Sequence, residues 1–273
     1  MENETKIKYP PLIKNTKKPN TVQSLCSDFG ALGINKGDVA LVHASLSKLG
    51  WVCTDQSTVV LALKEAFGDE GTIVMPAHTA SNSDPAEWRN PPVPKEWQQT
   101  IRDNMPAYDK HISPSESMGA IAECFRCYPG TMRSDNPYVS FTANGKLAEE
   151  ITKNHVLTPF FGMDTPLGAL YKLDAKVLFI GTDYNSCTAF HLSEVLWGKL
   201  EIIKNGCAMY RGGERIWRWY DDYDYDSDDF EHIGYAFEST GAVHKAKVGM
   251  AECRLFSLKS AVDFALEWMK KYR

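Results

Sequence analysis

The chain has 273 residues, of which 43 % are hydrophobic, 24 % charged and 11 % aromatic, a composition that excludes disordered, collagenous and fibrous classes. At this length folding buries about 70 % of the surface that the unfolded chain exposes, so a core forms without covalent staples. A net charge of −5 leaves no basic footprint for nucleic acid, and no apolar run reaches the ~20 residues of a bilayer span.

Residues 1–20 are Lys-rich, contain Pro10, Pro11 and Pro19 and lack periodicity, which predicts a surface arm ahead of a single domain over 21–273. Without an apolar leader segment, a cytoplasmic location is expected. The seven cysteines are odd in number and scattered, so all are expected as free thiols.

Thr21 can cap a helix with Val22, Leu25 and Phe29 at helical spacing. Val39 to His43 is a short apolar run of buried-strand type, followed by the small-residue turn Ala44 to Ser47. Ser57 is expected to cap the next helix, with Val59, Val60, Leu63, Ala66 and Phe67 on one face. Thr72 to Met75 is another buried strand, ended by Pro76. Strand, helix, strand at this spacing is a βαβ unit, and the same apolar run returns at Lys176 to Gly181.

Asp84 to Pro114 is rich in Pro and Trp and too irregular for regular elements, so it is expected as an ordered insertion walling a cleft. Ser117 to Tyr128 carries a helical stripe through Met118, Ile121, Ala122 and Phe125. From Ile202 to Val248 the chain turns to Trp, Tyr, Gly and Asp with alternating stretches, which predicts antiparallel strands. Ser257 opens a last amphipathic helix. The expected fold is therefore α/β: a mainly parallel central sheet flanked by helices, plus a β-rich C-terminal subregion. Ligands of such sheets bind at the carboxyl ends of the strands, which puts His43 to Ser47, Pro76 to Ser81 and Thr182 to His191 on one rim.

Phosphate-loop, dinucleotide, nucleophile-elbow and H-E-x-x-H signatures are all absent, which removes the usual support for nucleotide, hydride, esterase and metalloprotease chemistry. Cys124 and Cys127 have zinc-knuckle spacing but no second pair, and no metal is expected. Seven acids fall between Asp221 and Glu231, a surface suited to a polycation. His191 and Glu194 share a helix face at i, i+3, so the carboxylate can fix one imidazole nitrogen and leave the other as a general base; a surface ion pair has the same spacing. Cys187, four residues before His191, is either a buried thiol or an acyl-carrying nucleophile. His78 and Thr79 follow a strand end, where a hydroxyl could meet an oxyanion.

Seven blocks in order resemble the aminoglycoside 3-N-acetyltransferase family: Leu41 to Gly50, Gly71 to Pro76, Met118 to Glu123, Pro129 to Ser134, Thr165 to Gly168, His191 to Glu194 and Asp228 to Phe230. The resemblance implies a fold distinct from the small N-acetyltransferase superfamily and direct transfer from acetyl-CoA to the 3-amino group of a 2-deoxystreptamine. It implies His191 and Glu194 as catalytic dyad, with Thr79 positioning the thioester. His43, Ala44, Ser45, Leu46 and Ser47, with Arg133 and Ser134, become the cofactor-binding set. Asp84, Glu123, Asp183, Asp228 and Asp229, with Tyr108, are expected to receive the cationic aminoglycoside. The chain departs from the family's pattern at Cys53-Thr54-Asp55, where Gly-Gly-Pro is usual, at Ala77-His78, where a small or hydroxyl pair is common, and at Asn136, where histidine is usual. Alternatives are another amine acceptor, a binding protein without turnover, and a Cys187 acyl-enzyme. A monomer or homodimer is expected, without nucleic-acid or membrane partners.

Overall fold

The computed structural model describes residues 8–273. The first seven residues of the expected arm lie outside this range; within the rest, α1 (Pro11–Asn15) packs no buried residue. Helix α2 (Val22–Leu32) starts at a capping box in which Thr21 and Ser24 bond each other's backbone N–H. Strand β1 (Val39–Ala44), helix α3 (Gln56–Phe67) and strand β2 (Thr72–Pro76) form the expected βαβ unit. The cap of α3 is Asp55 rather than Ser57: its carboxylate accepts from the Ser57 N–H at 2.8 Å.

The chain then leaves the sheet through α4 (Lys95–Asn104) and α5 (Gly119–Arg126). Helix α4 lies within the stretch expected to be irregular; it buries none of its residues, and Trp97 and Ile101 are the two apolar residues of its short stripe. Strands β3 (Met132–Arg133) and β4 (Phe141–Gly145) follow, then α6 (Ala148–Thr152), α7 (Pro166–Lys172), β5 (Lys176–Ile180) and α8 (Phe190–Trp197). Strands β6 (Ile202–Arg211) and β7 (Glu214–Tyr223) make a separate two-stranded hairpin. Its turn needs left-handed φ at both central residues, and Gly212 and Gly213 supply +61° and +84°. Helix α9 (Phe230–Glu238), β8 (His244–Val248), β9 (Ala251–Ser257) and α10 (Leu258–Tyr272) complete the chain, α10 capped by Ser257 as expected.

The main sheet has seven strands in the order β3-β4-β2-β1-β5-β9-β8. Its centre is parallel, β1 pairing with β2 and β5, and antiparallel strands extend it on both sides. Both faces are covered, which is why the central strands read as unbroken apolar runs. One apolar cluster joins Leu25, Phe29, Val59, Leu63, Ile73 and Phe125 beneath α2, α3 and α5. The other gathers Leu167, Phe179, Phe190, Phe230, Val262 and Ala265 beneath α7 to α10. Among the described residues no helix is long and apolar enough to cross a membrane.

Candidate active site

The carboxyl ends of β1, β2 and β5 open on a cleft of two lobes. The first, about 520 Å³, is lined by His43 to Ser47, Pro76, His78, Ser117 to Gly119, Thr182, Asn185 to Thr188 and His191. The second, about 360 Å³, lies between Glu116, Tyr138, Phe160, Phe161, Asn205 and the segment Tyr223 to Tyr225. Five residues line both: His78, Ser117, Met118, His191 and Ser227. His191 therefore stands where the lobes join.

The first turn of α8 carries His191, and its i+3 neighbour meets it as helical spacing requires: His191 Nδ1 lies 2.6 Å from Glu194 Oε2. A carboxylate accepts only, so Nδ1 holds the proton and Nε2 is left with its lone pair. Among the described residues Nε2 has no hydrogen-bond partner, and the side chain is 18 % exposed, toward the cleft. The ring is clamped by Phe161, stacked at 4.7 Å and 14°, by Tyr225 at 5.4 Å and by Phe230 at 4.8 Å. Glu194 is fully buried, and its Oε1 accepts from the Asp226 N–H at 3.1 Å and Arg273 Nη1 at 2.6 Å.

The family model of the aminoglycoside 3-N-acetyltransferases matches residues 41–270. The YokD protein of Bacillus subtilis, described as an SPbeta prophage-derived aminoglycoside N(3')-acetyltransferase-like protein, is 43 % identical over 94 % of this chain and 95 % of its own. Its crystal structure superposes with a TM-score of 0.93 over 94 % of this chain and 96 % of that one. Aminoglycoside N(3)-acetyltransferase VII of Streptomyces paromomycinus is 31 % identical over 95 % of both chains. A solved binary complex of AAC-IIIb with CoASH, 28 % identical, superposes with a TM-score of 0.83 over 93 % of this chain and 97 % of that one. This chain belongs to the aminoglycoside 3-N-acetyltransferase family.

As a member of that family it is an acyltransferase, and its expected site residues fall into two groups. His43, Ala44, Ser45, Leu46 and Ser47 line the first lobe with the Thr182 to Thr188 loop opposite. The His43 imidazole is held neutral by burial, which pushes its pKa down to about 3. Its Nε2 is buried with no partner among the described residues.

Thr79, Arg133 and Ser134 do not reach the cleft. Thr79 is 5 % exposed; its hydroxyl accepts from Arg133 Nη2 at 2.9 Å and faces the Pro114 carbonyl at 3.4 Å. Its neighbour His78, on the opposite side of the extended backbone, lines both lobes instead. Arg133 spends its guanidinium on Ser140, Thr79 and the carbonyls of Ser113 and Ala77. Ser134 bonds His155 at 2.8 Å and the Phe141 N–H at 2.8 Å. Both are cross-braces behind the cleft wall.

The carboxylates expected to receive a polycation are mostly engaged within the protein. Asp84 pairs with Arg102 at 2.7 Å and Asp229 with Arg273 at 2.5 Å. Burial disfavours ionised Glu123, but bonds from Arg126 and Ser115 outweigh it and hold its pKa at about 2. Asp183 accepts from Tyr235 OH at 2.8 Å and from the Tyr184 N–H. Asp228 is exposed and lines neither lobe, and Tyr108 is buried with its OH on the Ser134 carbonyl. The carboxylates that do face the second lobe are Glu116, which accepts from Ser81, and Asp224. Asn205 joins them with a buried amide nitrogen that has no partner among the described residues. Asp224 belongs to the acidic run noted in the sequence; Glu116 and Asn205 carried no local signal.

Proposed function

We propose that the protein transfers an acetyl group from acetyl-CoA directly to an amine of a 2-deoxystreptamine aminoglycoside. The observation that carries this reading is the free Nε2 of a carboxylate-oriented histidine at the junction of two lobes. AAC-IIIb, a solved relative, is bound to CoASH, and the Streptomyces relative is named for the 3-amino group of its substrate. The first lobe suits the donor: its walls are the hydroxyls and short side chains of Ser45, Ser47, Ser186 and Thr188, which let an extended chain lie close to the backbone. The second lobe suits the acceptor, whose ammonium groups would meet Glu116 and Asp224.

In the ternary complex the amine attacks the thioester carbonyl while His191 Nε2 takes the proton it loses. Glu194 stabilises the imidazolium that forms, as a buried carboxylate does for a neighbouring cation. Collapse of the tetrahedral species forms the amide C–N bond and breaks the C–S bond. The departing sulfur takes the proton from His191, giving CoA-SH and restoring the neutral base.

A second acceptor class is favoured by one observation. Among the described residues the second lobe is walled by the rings of Tyr138, Phe160, Phe161, Tyr223 and Tyr225 and offers two carboxylates, so an amine with one or two charges and an apolar body also fits. Both readings are tested by thiol release from acetyl-CoA with a panel of deoxystreptamine aminoglycosides and of aryl and alkyl mono- and diamines. Wild type is expected to turn over an aminoglycoside, and His191→Ala to lose about 100-fold or more in kcat with little change in KM for acetyl-CoA. Turnover confined to the simple amines selects the second class, and turnover with neither overturns the acetyltransfer reading.

A further inference from the structure

We propose that Arg273 is a positioning residue of the acyl-transfer site, holding Glu194 so that its Oε2 meets His191 Nδ1 and Nε2 stays aimed at the acceptor. This rests on the acetyltransfer reading above. Arg273 follows α10 and lies outside the residues that the family model matches.

Glu194 has no solvent to share its charge with, and its two oxygens are used on different sides. Oε2 takes His191; Oε1 takes Arg273 Nη1 at 2.6 Å and the Asp226 N–H at 3.1 Å. An isolated carboxylate in such a place is costly and acquires a proton instead, which would cost the dyad its orienting acceptor. The guanidinium supplies the missing counter-charge, and its planar fork also fixes direction. Nε and Nη2 grip the two oxygens of Asp229 at 2.7 and 2.5 Å, and Nη2 bonds the Asp226 carbonyl at 2.7 Å. The guanidinium carbon lies 6.0 Å from the Trp197 ring at the far end of α8. One residue therefore ties α10, the loop 226–229 and the catalytic turn of α8 together. Its side chain is 11 % exposed, well shielded from competing water.

Among the described residues, the charged and titratable groups around the dyad are Asp226 and Asp229 from that loop, Tyr225 and Asp224 before it, Glu116, His78, His43 and Cys187 from the walls of the two lobes, and Arg273 itself. Removing the one cation among them makes the dyad hold a proton more readily, whichever member carries it. The acid limb of the rate profile must then move to higher pH.

The test compares wild type, Arg273→Gln and Arg273→Lys in the full chain. Expected for Arg273→Gln is a fall in kcat of about 30-fold or more at neutral pH, KM for acetyl-CoA within about 3-fold, and an acid limb displaced upward by about one pH unit. Arg273→Lys, which keeps the charge but not the fork, is expected to restore the limb while recovering only part of kcat. A readout without turnover accompanies these: the His191 Nδ1–H proton resonance of the ligand-free protein, protected in wild type and lost or exchanging faster in Arg273→Gln. An unchanged kcat in Arg273→Gln, or an unchanged resonance, overturns the proposal, as does a kcat loss with an unmoved acid limb that Arg273→Lys does not relieve. If wild type turns over no amine, the acetyltransfer reading fails instead, and the resonance still decides the role of Arg273.

Discussion

Cys187 lies in the wall of the first lobe, four residues before His191, and is fully buried. Burial pushes its thiol up to about 12, only partly opposed by the N–H groups of Phe190 and Ala189, so at neutral pH the nucleophilic thiolate is scarce. Among the described residues no hydrogen bond joins the thiol to His191, whose own bond runs from Nδ1 to Glu194. A scarce thiolate favours the proposed direct transfer, and Cys187→Ala is expected to keep kcat within about 3-fold of wild type, as a variant that loses packing but no transition-state contact does. Intact mass after exposure to acetyl-CoA should show no acetyl adduct; a stable adduct that disappears in Cys187→Ala would restore the acyl-enzyme route. The same locality explains which site residues could be read from the sequence. His191 and Glu194 were legible because i, i+3 on a helix is a contact the chain makes with itself, and the Glu123–Arg126 pair was within reach of the same rule. Thr79 was misplaced because adjacent residues in extended chain face opposite sides, and spacing alone does not say which faces the cleft. Asp84, Asp229 and Asp183 found partners 18, 44 and 52 residues away, information that no local pattern holds.

Elements differ in legibility for a related reason. Strands β1, β2 and β5 are sandwiched between helices and had to be apolar throughout, so they stood out. Strand β4 did not, although Phe141, Thr142 and Ala143 are wholly buried. Its polar positions are satisfied across the sheet and beyond: Thr142 Oγ1 donates to the Met75 carbonyl, and Asn144 bonds the Pro129 carbonyl and Lys64. Helix α9 was hidden by its Gly and aromatic content, and Gly234 has a specific purpose there. A Cβ at Gly234 would fall 1.9 Å from Tyr184 Cγ. Tyr184 cannot retreat: it is fully buried among Phe179, Phe190 and Phe256, and its OH donates to Glu238 at 3.0 Å. Gly234→Ala gains roughly 1 kcal/mol of intrinsic helix preference, yet overpacking is expected to cost more, for a net loss of about 2 kcal/mol. In a chain of this size that is a fall in Tm of about 5 °C, measurable by thermal unfolding. A Tm equal to or above wild type would mean that α9 shifts freely and does not brace the Asp183 to Thr188 loop of the first lobe.

At the scale of the whole molecule, the cleft and the wall behind it hold three imidazoles in the neutral form. Burial lowers His43 and His78 to about 3 and His155 to about 4, and for His78 the neighbouring His191, His155 and His43 add to the effect. His155 is braced between Ser134 Oγ at 2.8 Å and the Phe160 carbonyl at 3.0 Å. Keeping these rings uncharged leaves the dyad and the acidic rim to set the field that an ammonium acceptor meets. The arrangement has a cost in acid. An unfolded histidine takes its proton near 6.5, and these three refuse theirs until about 3 to 4, so from pH 6.5 downward the unfolded chain binds more protons than the folded one. Stability is expected to fall as pH falls, by up to about 1.4 kcal/mol per pH unit for each of the three imidazoles, or about 4 together. Against a total stability of about 5–15 kcal/mol this is enough to start unfolding between pH 6 and 5. Glu123 and Glu238 cannot cause such an onset: both are held at about 2, so their contribution is intact above about 4.5 and is lost only below it. Thermal unfolding followed from pH 7.5 to 4.5 should therefore show Tm falling steeply below about 6, with the slope reduced by about a third in His155→Gln. A Tm that stays level down to pH 5 would show that the imidazoles take up protons in the folded state and that the cleft floor opens to admit them.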